Sequence, residues 1–92
     1  MNYTIHHHPE RNRFETEVDE QLCVLDYRIN DGIASMDRVY VPKPVEGRGI
    51  AAAITRSALD HARESGWRVI PNCPYVRSWI ERHPDYQDLL AG

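Results

Sequence analysis

The sequence predicts an α+β (α/β) domain in which a four-stranded antiparallel meander precedes a helix, a strand and a second helix, in the order β-β-β-β-α-β-α. Two observations carry this prediction. Apolar and polar residues alternate through the first half of the chain, and Asn-Asp-Gly at residues 30–32 is a tight-turn sequence. Apolar residues then recur at helical spacing after a Gly-Arg-Gly sequence, and a short strand-like segment follows.

Length and charge limit the classes of partner. The chain of 92 residues is long enough for one small domain, which we assign to residues 1–92. A net charge of −3 argues against nucleic acid as a partner and gives a DNA-associated function no support. No apolar run reaches the length of a membrane span and the first residues lack a signal-peptide core, so we expect a cytoplasmic protein with no membrane partner.

Turn-forming residues divide the first half into four expected strands, at residues 3–7, 13–18, 22–29 and 33–41. Pro42 and Pro44 end strand pairing. A first helix at residues 49–65, a strand at 67–70 and a second helix at 75–82 follow. The last strand comes after a crossover helix, so we expect it to be parallel to a strand of the meander. The stripe expected to face the sheet comprises Ile50, Ala53, Ile54, Ser57, Ala58, His61 and Ala62.

The histidines and cysteines of the chain are expected to be structural, with one exception. His6, His7 and His8 point alternately to opposite faces of a strand, so they do not converge on one metal ion. Two cysteines are too few for a disulfide scaffold, and we expect free thiols. Cys23 alternates with apolar residues of a strand and is expected in the core, whereas Cys73 lies in a loop before the second helix.

Gly47 and Gly49 flank Arg48 immediately before the first helix. A helix N-terminus carries unpaired N–H groups and the positive end of the helix dipole, and glycine lets an anion approach the backbone closely. The Gly-Arg-Gly sequence is therefore compatible with a phosphate cradle, to which Arg48 adds a positive charge. A plain loop that starts a helix is the alternative, because the full Walker and Rossmann fingerprints are absent.

The second half of the chain contains an extended pattern of spaced residues. It comprises Val41-Pro42, Gly47-Arg48-Gly49-Ile50-Ala51, Ala58-Leu59, Ala62, Gly66, Val69, Pro71, Cys73-Pro74-Tyr75-Val76, Ile80, His83-Pro84 and Tyr86. This pattern resembles that of a small-domain subgroup of the GNAT superfamily of acetyl-CoA-dependent N-acetyltransferases, and the first half agrees with that superfamily in strand order. The resemblance implies the GNAT fold, acetyl-CoA (CoA) as cofactor and an amine as acceptor.

The resemblance also implies where the cofactor binds. The backbone between Val45 and Ala51 would hold the diphosphate, and the end of the fourth strand would hold the pantetheine arm and face the thioester. The cofactor-binding residues implied are Tyr40, Val41, Val45, Gly47, Arg48, Gly49, Ile50 and Ala51.

Departures from the family pattern narrow the catalytic candidates to Cys73 and Tyr75. The subgroup often has His-Thr where this chain has Arg38-Val39, and larger members often have a tyrosine where a rough alignment places Trp79. Cys73 precedes a helix, where a thiol is activated, so it could act as a nucleophile or as a proton donor to the CoA thiolate. The hydroxyl of Tyr75 could do the latter, and simple packing is the alternative for both residues.

Two classes of function therefore remain open. One is a small N-acetyltransferase that acts on an unidentified amine of a small molecule or protein. The other is a CoA-binding or interaction module of the same fold with little or no catalysis. The open sheet edges are compatible with a monomer or a homodimer.

Overall fold

A computed structural model describes residues 3–92 of the chain and, within them, contains one five-stranded sheet with the strand order β1-β2-β3-β4-β5. Neighbouring strands are antiparallel except β4 and β5, which are parallel. This confirms the predicted fold class and element order. The strands are β1 (His6–His8), β2 (Arg13–Val18), β3 (Gln21–Asn30), β4 (Ile33–Tyr40) and β5 (Arg68–Pro71), and the helices are α1 (Ile50–Ser65) and α2 (Pro74–Glu81).

The predicted tight turns are present where the meander reverses. Asp31 and Gly32 have φ values of 51° and 75° between β3 and β4, and Asp19 and Glu20 have φ values of 50° and 65° between β2 and β3. Two consecutive residues with positive φ match the right-handed twist of a hairpin, and Asn, Asp and Gly tolerate this conformation best.

The predicted bounds of the first strand are wrong. Only His6–His8 pairs with β2, whereas the expected strand began at residue 3. The hydroxyl of Thr16 donates to the carbonyl of Thr4 at 2.8 Å. At this position a side-chain hydrogen bond replaces the backbone pairing that was expected between the first two strands. The bounds of β5 and α2 each differ from the prediction by one residue, and the 3₁₀ helix Pro84–Leu89 after α2 was not predicted.

The buried face of α1 is rotated relative to its predicted stripe, of which Ala53, Ser57 and His61 are only half-buried. Ile54, Ala58 and Ala62 are buried as expected, but Thr55 and Leu59, which lie outside the stripe, are buried as well. The reason is a second neighbour, because α1 packs against α2 and the last 3₁₀ helix in addition to the sheet. Gly66 ends α1 in the left-handed conformation, with φ of 73°, as its position predicted.

His7 lies on the side of the sheet that carries the helices. Its ring is stacked on Phe14 with the centroids 4.1 Å apart, and its Nε2 lies 2.6 Å from the hydroxyl oxygen of Tyr27. His61 of α1 is edge-on to it at 4.3 Å. Burial in the first place, and then the nearby His61 and His8, lower the pKa of His7 below its ordinary value of 6.5.

We expect the free energy of unfolding to fall as the pH is lowered below 6.5, because the unfolded chain binds a proton at His7 that the folded chain takes up only at lower pH. Urea unfolding at a series of pH values checks this, and the difference in slope between the wild type and His7→Gln isolates the contribution of His7. Equal slopes would contradict the prediction. In a second measurement, His61→Gln should raise the pKa of His7, read from its ring proton shifts.

Candidate functional site

β4 and β5 diverge beyond Met36. Their last paired residues are Met36 and Pro71, and the amide of Cys73 then donates to the carbonyl of Met36 at 2.9 Å. β4 continues to Tyr40 and remains paired with β3, but no ladder on the β5 side accompanies residues 37–40 in the described part of the chain. This stretch also contains a bulge. Arg38 lies opposite Asp26 and Met36 lies opposite Tyr27, so Asp37 is the extra residue.

The glycine loop, residues 47–49, connects the end of β4 to α1 after a short 3₁₀ turn. Gly47 and Gly49 have φ values of 79° and 77°, and a Cβ added to either would have no atom within 4 Å. Among residues 47–53, the first amide with a carbonyl acceptor is that of Ala53, which donates to Gly49 at 3.1 Å. The loop thus combines open space beside its backbone with the free amides of a helix N-terminus, the environment that an anion requires.

A pocket of about 520 Å³ lies where the glycine loop, the end of β4 and the start of α2 meet. It brings together seven of the ten candidate site residues and three residues outside that set. The first group is Tyr40, Val41, Gly47, Gly49, Ile50, Ala51 and Tyr75, and the second is Val39, Glu46 and Ala52. Val39 shares a strand face with Val41 and Ala52 belongs to the same helical turn as Ile50, so strand and helix periodicity could have identified both.

Three selected residues lie outside the lining of this pocket. Val45 is fully buried in the core. Arg48 directs its guanidinium to Asp19, with Nη1 and Oδ2 2.7 Å apart. Cys73 is the N-cap residue of α2 and is buried, with 6% of its surface exposed. The amide of Cys73 is held by the sheet, and its thiol makes no capping hydrogen bond to α2.

Tyr75 contributes a half-buried ring to the pocket. Burial raises the pKa of its hydroxyl above the ordinary value of 10.0. The hydroxyl therefore stays protonated at neutral pH and is available as a hydrogen-bond donor or a proton donor. Trp79, one turn further along α2, is buried and stacks on His83 with the ring centroids 3.7 Å apart, which is a packing role.

We expect a thiol reagent to label Cys73 before Cys23 in the folded protein. Both thiols are free, but Cys23 is fully buried and burial raises its pKa, which lowers the population of the reactive thiolate. Mass spectrometry of peptides after a brief exposure to iodoacetamide checks the order of labelling. Earlier labelling of Cys23 would contradict it, and a Cys23→Ala variant, which retains one thiol, serves as the control.

A second pocket, of about 600 Å³, lies between β1 and α1. His7, Asp60 and His61 are among its lining residues, and it contains none of the residues selected for cofactor binding or catalysis. In residues 3–92 there is no group of three or more His, Cys, Asp or Glu side chains placed to hold a metal ion. None of the helices in the described part of the chain is long and apolar enough to span a membrane.

The antiparallel meander, the parallel fifth strand that diverges from β4, and the glycine loop at a helix N-terminus define a protein of the GNAT class. The sequence model of the GCN5-related N-acetyltransferase family matches residues 13–89, and the chain belongs to this family.

Relatives of known sequence or structure are similar over most of the chain. Protein NATD1 of mouse is 24% identical over 84 residues, which cover 87% of this chain and 76% of NATD1. Bovine NATD1 is 25% identical, with 87% and 74% covered. The NMR structure of a GCN5-like protein from Staphylococcus aureus superposes with a TM-score of 0.75 and 25% identity, over 97% of this chain and 88% of that one.

Proposed function

We propose that this domain binds acetyl-CoA in the pocket beside the glycine loop and transfers the acetyl group to an amine. The observation that carries the proposal is the coincidence of two features at one pocket. Free amides and open space at Gly47 and Gly49 suit a diphosphate. The end of β4 beside them is unpaired on its β5 side, which suits the amide groups of a pantetheine arm.

The reaction assigns different tasks to the residues of the pocket. Acetyl-CoA, when bound, supplies a thioester whose carbonyl carbon accepts the amine nitrogen, so that a C–N bond forms as the C–S bond breaks. The amides of the glycine loop and of the first turn of α1 would hold the diphosphate. Val39 and Val41 would exclude water from the arm, and the end of β4 would orient it.

A proton donor is needed for the departing thiolate, and we assign this role to Tyr75. Burial raises the pKa of its hydroxyl, which stays protonated at neutral pH, and its ring is half-buried, whereas the other tyrosine in the lining, Tyr40, is 48% exposed. Cys73 remains the second candidate, since it immediately precedes α2, but it is buried outside the pocket lining. The amine must lose a proton as well, and Glu46 is the carboxylate that lines the pocket.

Calorimetry with acetyl-CoA and CoA, followed by detection of released thiol with a panel of primary amines, tests the proposal. We expect binding and amine-dependent release of CoA. Binding without release above background for any amine would favour a CoA-binding module over an enzyme. Absence of binding by the folded protein would overturn the assignment of the pocket itself.

A further inference from the structure

Two contacts from distant parts of the chain hold Arg48, the central residue of the glycine loop. The hydroxyl of Tyr3 donates to the carbonyl oxygen of Arg48 at 2.6 Å, across 45 residues of sequence. The guanidinium of Arg48 donates to Asp19, in the turn between β2 and β3, at 2.7 Å. One contact fixes the backbone of Arg48 and the other fixes its side chain, and the two partners come from separate segments, before β1 and between β2 and β3.

The neighbours of Arg48 explain why such contacts matter. Gly47 and Gly49 both have positive φ, and glycine loses more conformational freedom on ordering than any other residue. A loop that is ordered only when its ligand binds loses affinity by the cost of that ordering. A loop held in its binding conformation beforehand avoids this cost, and only the residue between the two glycines carries a side chain by which it can be held.

We propose that Tyr3 and Asp19 are positioning residues that hold the glycine loop in the conformation required by a diphosphate, with Arg48 as the anchor. This proposal rests on the proposed function, because the diphosphate is that of the cofactor. It also changes the role of Arg48. Its side chain lies outside the pocket lining and is paired with Asp19, so its charge is directed away from the ligand. We call the two contacts of Arg48, with Tyr3 and with Asp19, the clamp.

The variant Tyr3→Phe removes the donor of one contact, and Asp19→Asn removes the negative charge of the other, and both retain the shape of the residue. Phenylalanine keeps the ring of Tyr3, which packs against the core, and asparagine tolerates the φ of 50° at position 19. We expect the Kd for CoA to rise about three- to tenfold in Tyr3→Phe and about two- to fivefold in Asp19→Asn, the scale of one hydrogen bond and of one exposed ion pair.

Asp88→Asn is the matched control. It removes the negative charge from the Arg63–Asp88 pair, whose 2.8 Å distance and exposures of 44% and 63% resemble the 2.7 Å, 41% and 66% of the Arg48–Asp19 pair. Arg63 also donates to the second carboxylate oxygen of Asp88 at 3.0 Å, so this pair is the more strongly bonded of the two. Asp88→Asn also changes the net charge by the same amount. Because Asp88 contacts the far end of α1, its replacement should leave the Kd for CoA unchanged.

The amide NMR signals of the free protein report the conformation of the glycine loop separately from the overall stability of the protein. In Tyr3→Phe and Asp19→Asn, the ¹H–¹⁵N signals of Gly47 and Gly49 should shift or broaden, whereas those of Gly32 and Gly66, which also have positive φ, should not. Unchanged signals together with an unchanged Kd would overturn the clamp. Tighter CoA binding by Asp19→Asn would overturn it too, because it would mean that Arg48 binds phosphate once released.

If the wild type does not bind CoA, the proposed function fails, and the amide signals alone still decide whether the clamp orders the loop.

Discussion

Replacement of Gly49 by alanine is expected to weaken CoA binding by about tenfold or more, the scale of losing one hydrogen bond to a charged group. The space beside Gly49 is open, with no atom within 4 Å of an added Cβ, and Gly49 lines the pocket. A methyl group there would occupy the position from which a phosphate oxygen approaches the backbone. Calorimetric titration of the folded variant with CoA measures the effect.

Backbone strain must be separated from this effect, because Gly49 has φ of 77° and alanine is strained in that conformation. Gly66→Ala is the control. Gly66 has φ of 73°, also has nothing within 4 Å of an added Cβ, and ends the same helix away from the pocket. Both variants should lose about 1 kcal/mol of stability, but only Gly49→Ala should lose CoA affinity. Equal affinities in the two folded variants would exclude the glycine loop as the diphosphate site. If Gly49→Ala fails to fold, Gly49→Asn, which tolerates positive φ, replaces it.

The local elements of this fold could be predicted because their signals lie within a few residues. Alternation in β2, the Asn-Asp-Gly turn and the helical spacing of α1 each depend on short-range geometry, and the structure confirms all three. The crossover helix predicted that β5 is parallel to its neighbour, which the structure confirms. The family resemblance implied where a cofactor would bind. Seven of the ten selected site residues line one pocket, because most of them belong to a single continuous segment from Tyr40 to Ala51.

The remaining differences all involve contacts between distant segments. Thr55 and Leu59 are buried because α2 and the last 3₁₀ helix pack beside α1, and no periodicity within α1 encodes that neighbour. The direction of Arg48 is set by Asp19, which is 29 residues away. Cys73 is separated from Tyr75 by Pro74 alone, but its amide is bound to β4, and Tyr75 rather than Cys73 lines the pocket.

Replacement of Tyr75 by phenylalanine is expected to lower the rate of acetyl transfer by about one to three orders of magnitude, as the loss of a proton-transfer group does. The affinity for CoA should be nearly constant, because the aromatic ring is retained and the diphosphate lies at the glycine loop. Tyr86→Phe is the control. Burial raises the pKa of Tyr86 as it does that of Tyr75, but Tyr86 donates to Asp60 at 2.7 Å and is not among the residues that line the pocket. It should lose some stability and keep its turnover.

Cys73→Ser completes this experiment, since it tests the second candidate by a change of one atom. The thiol is buried outside the pocket lining, so the serine variant should be somewhat less stable but should retain its turnover once conditions are chosen in which it is folded. Single-turnover measurements with one accepted amine compare Tyr75→Phe, Cys73→Ser and the wild type directly. A large loss in Cys73→Ser with none in Tyr75→Phe would reverse the assignment and make Cys73 the reacting group. No loss in either variant would mean that solvent supplies the proton, and the pocket would then act by binding and orientation alone.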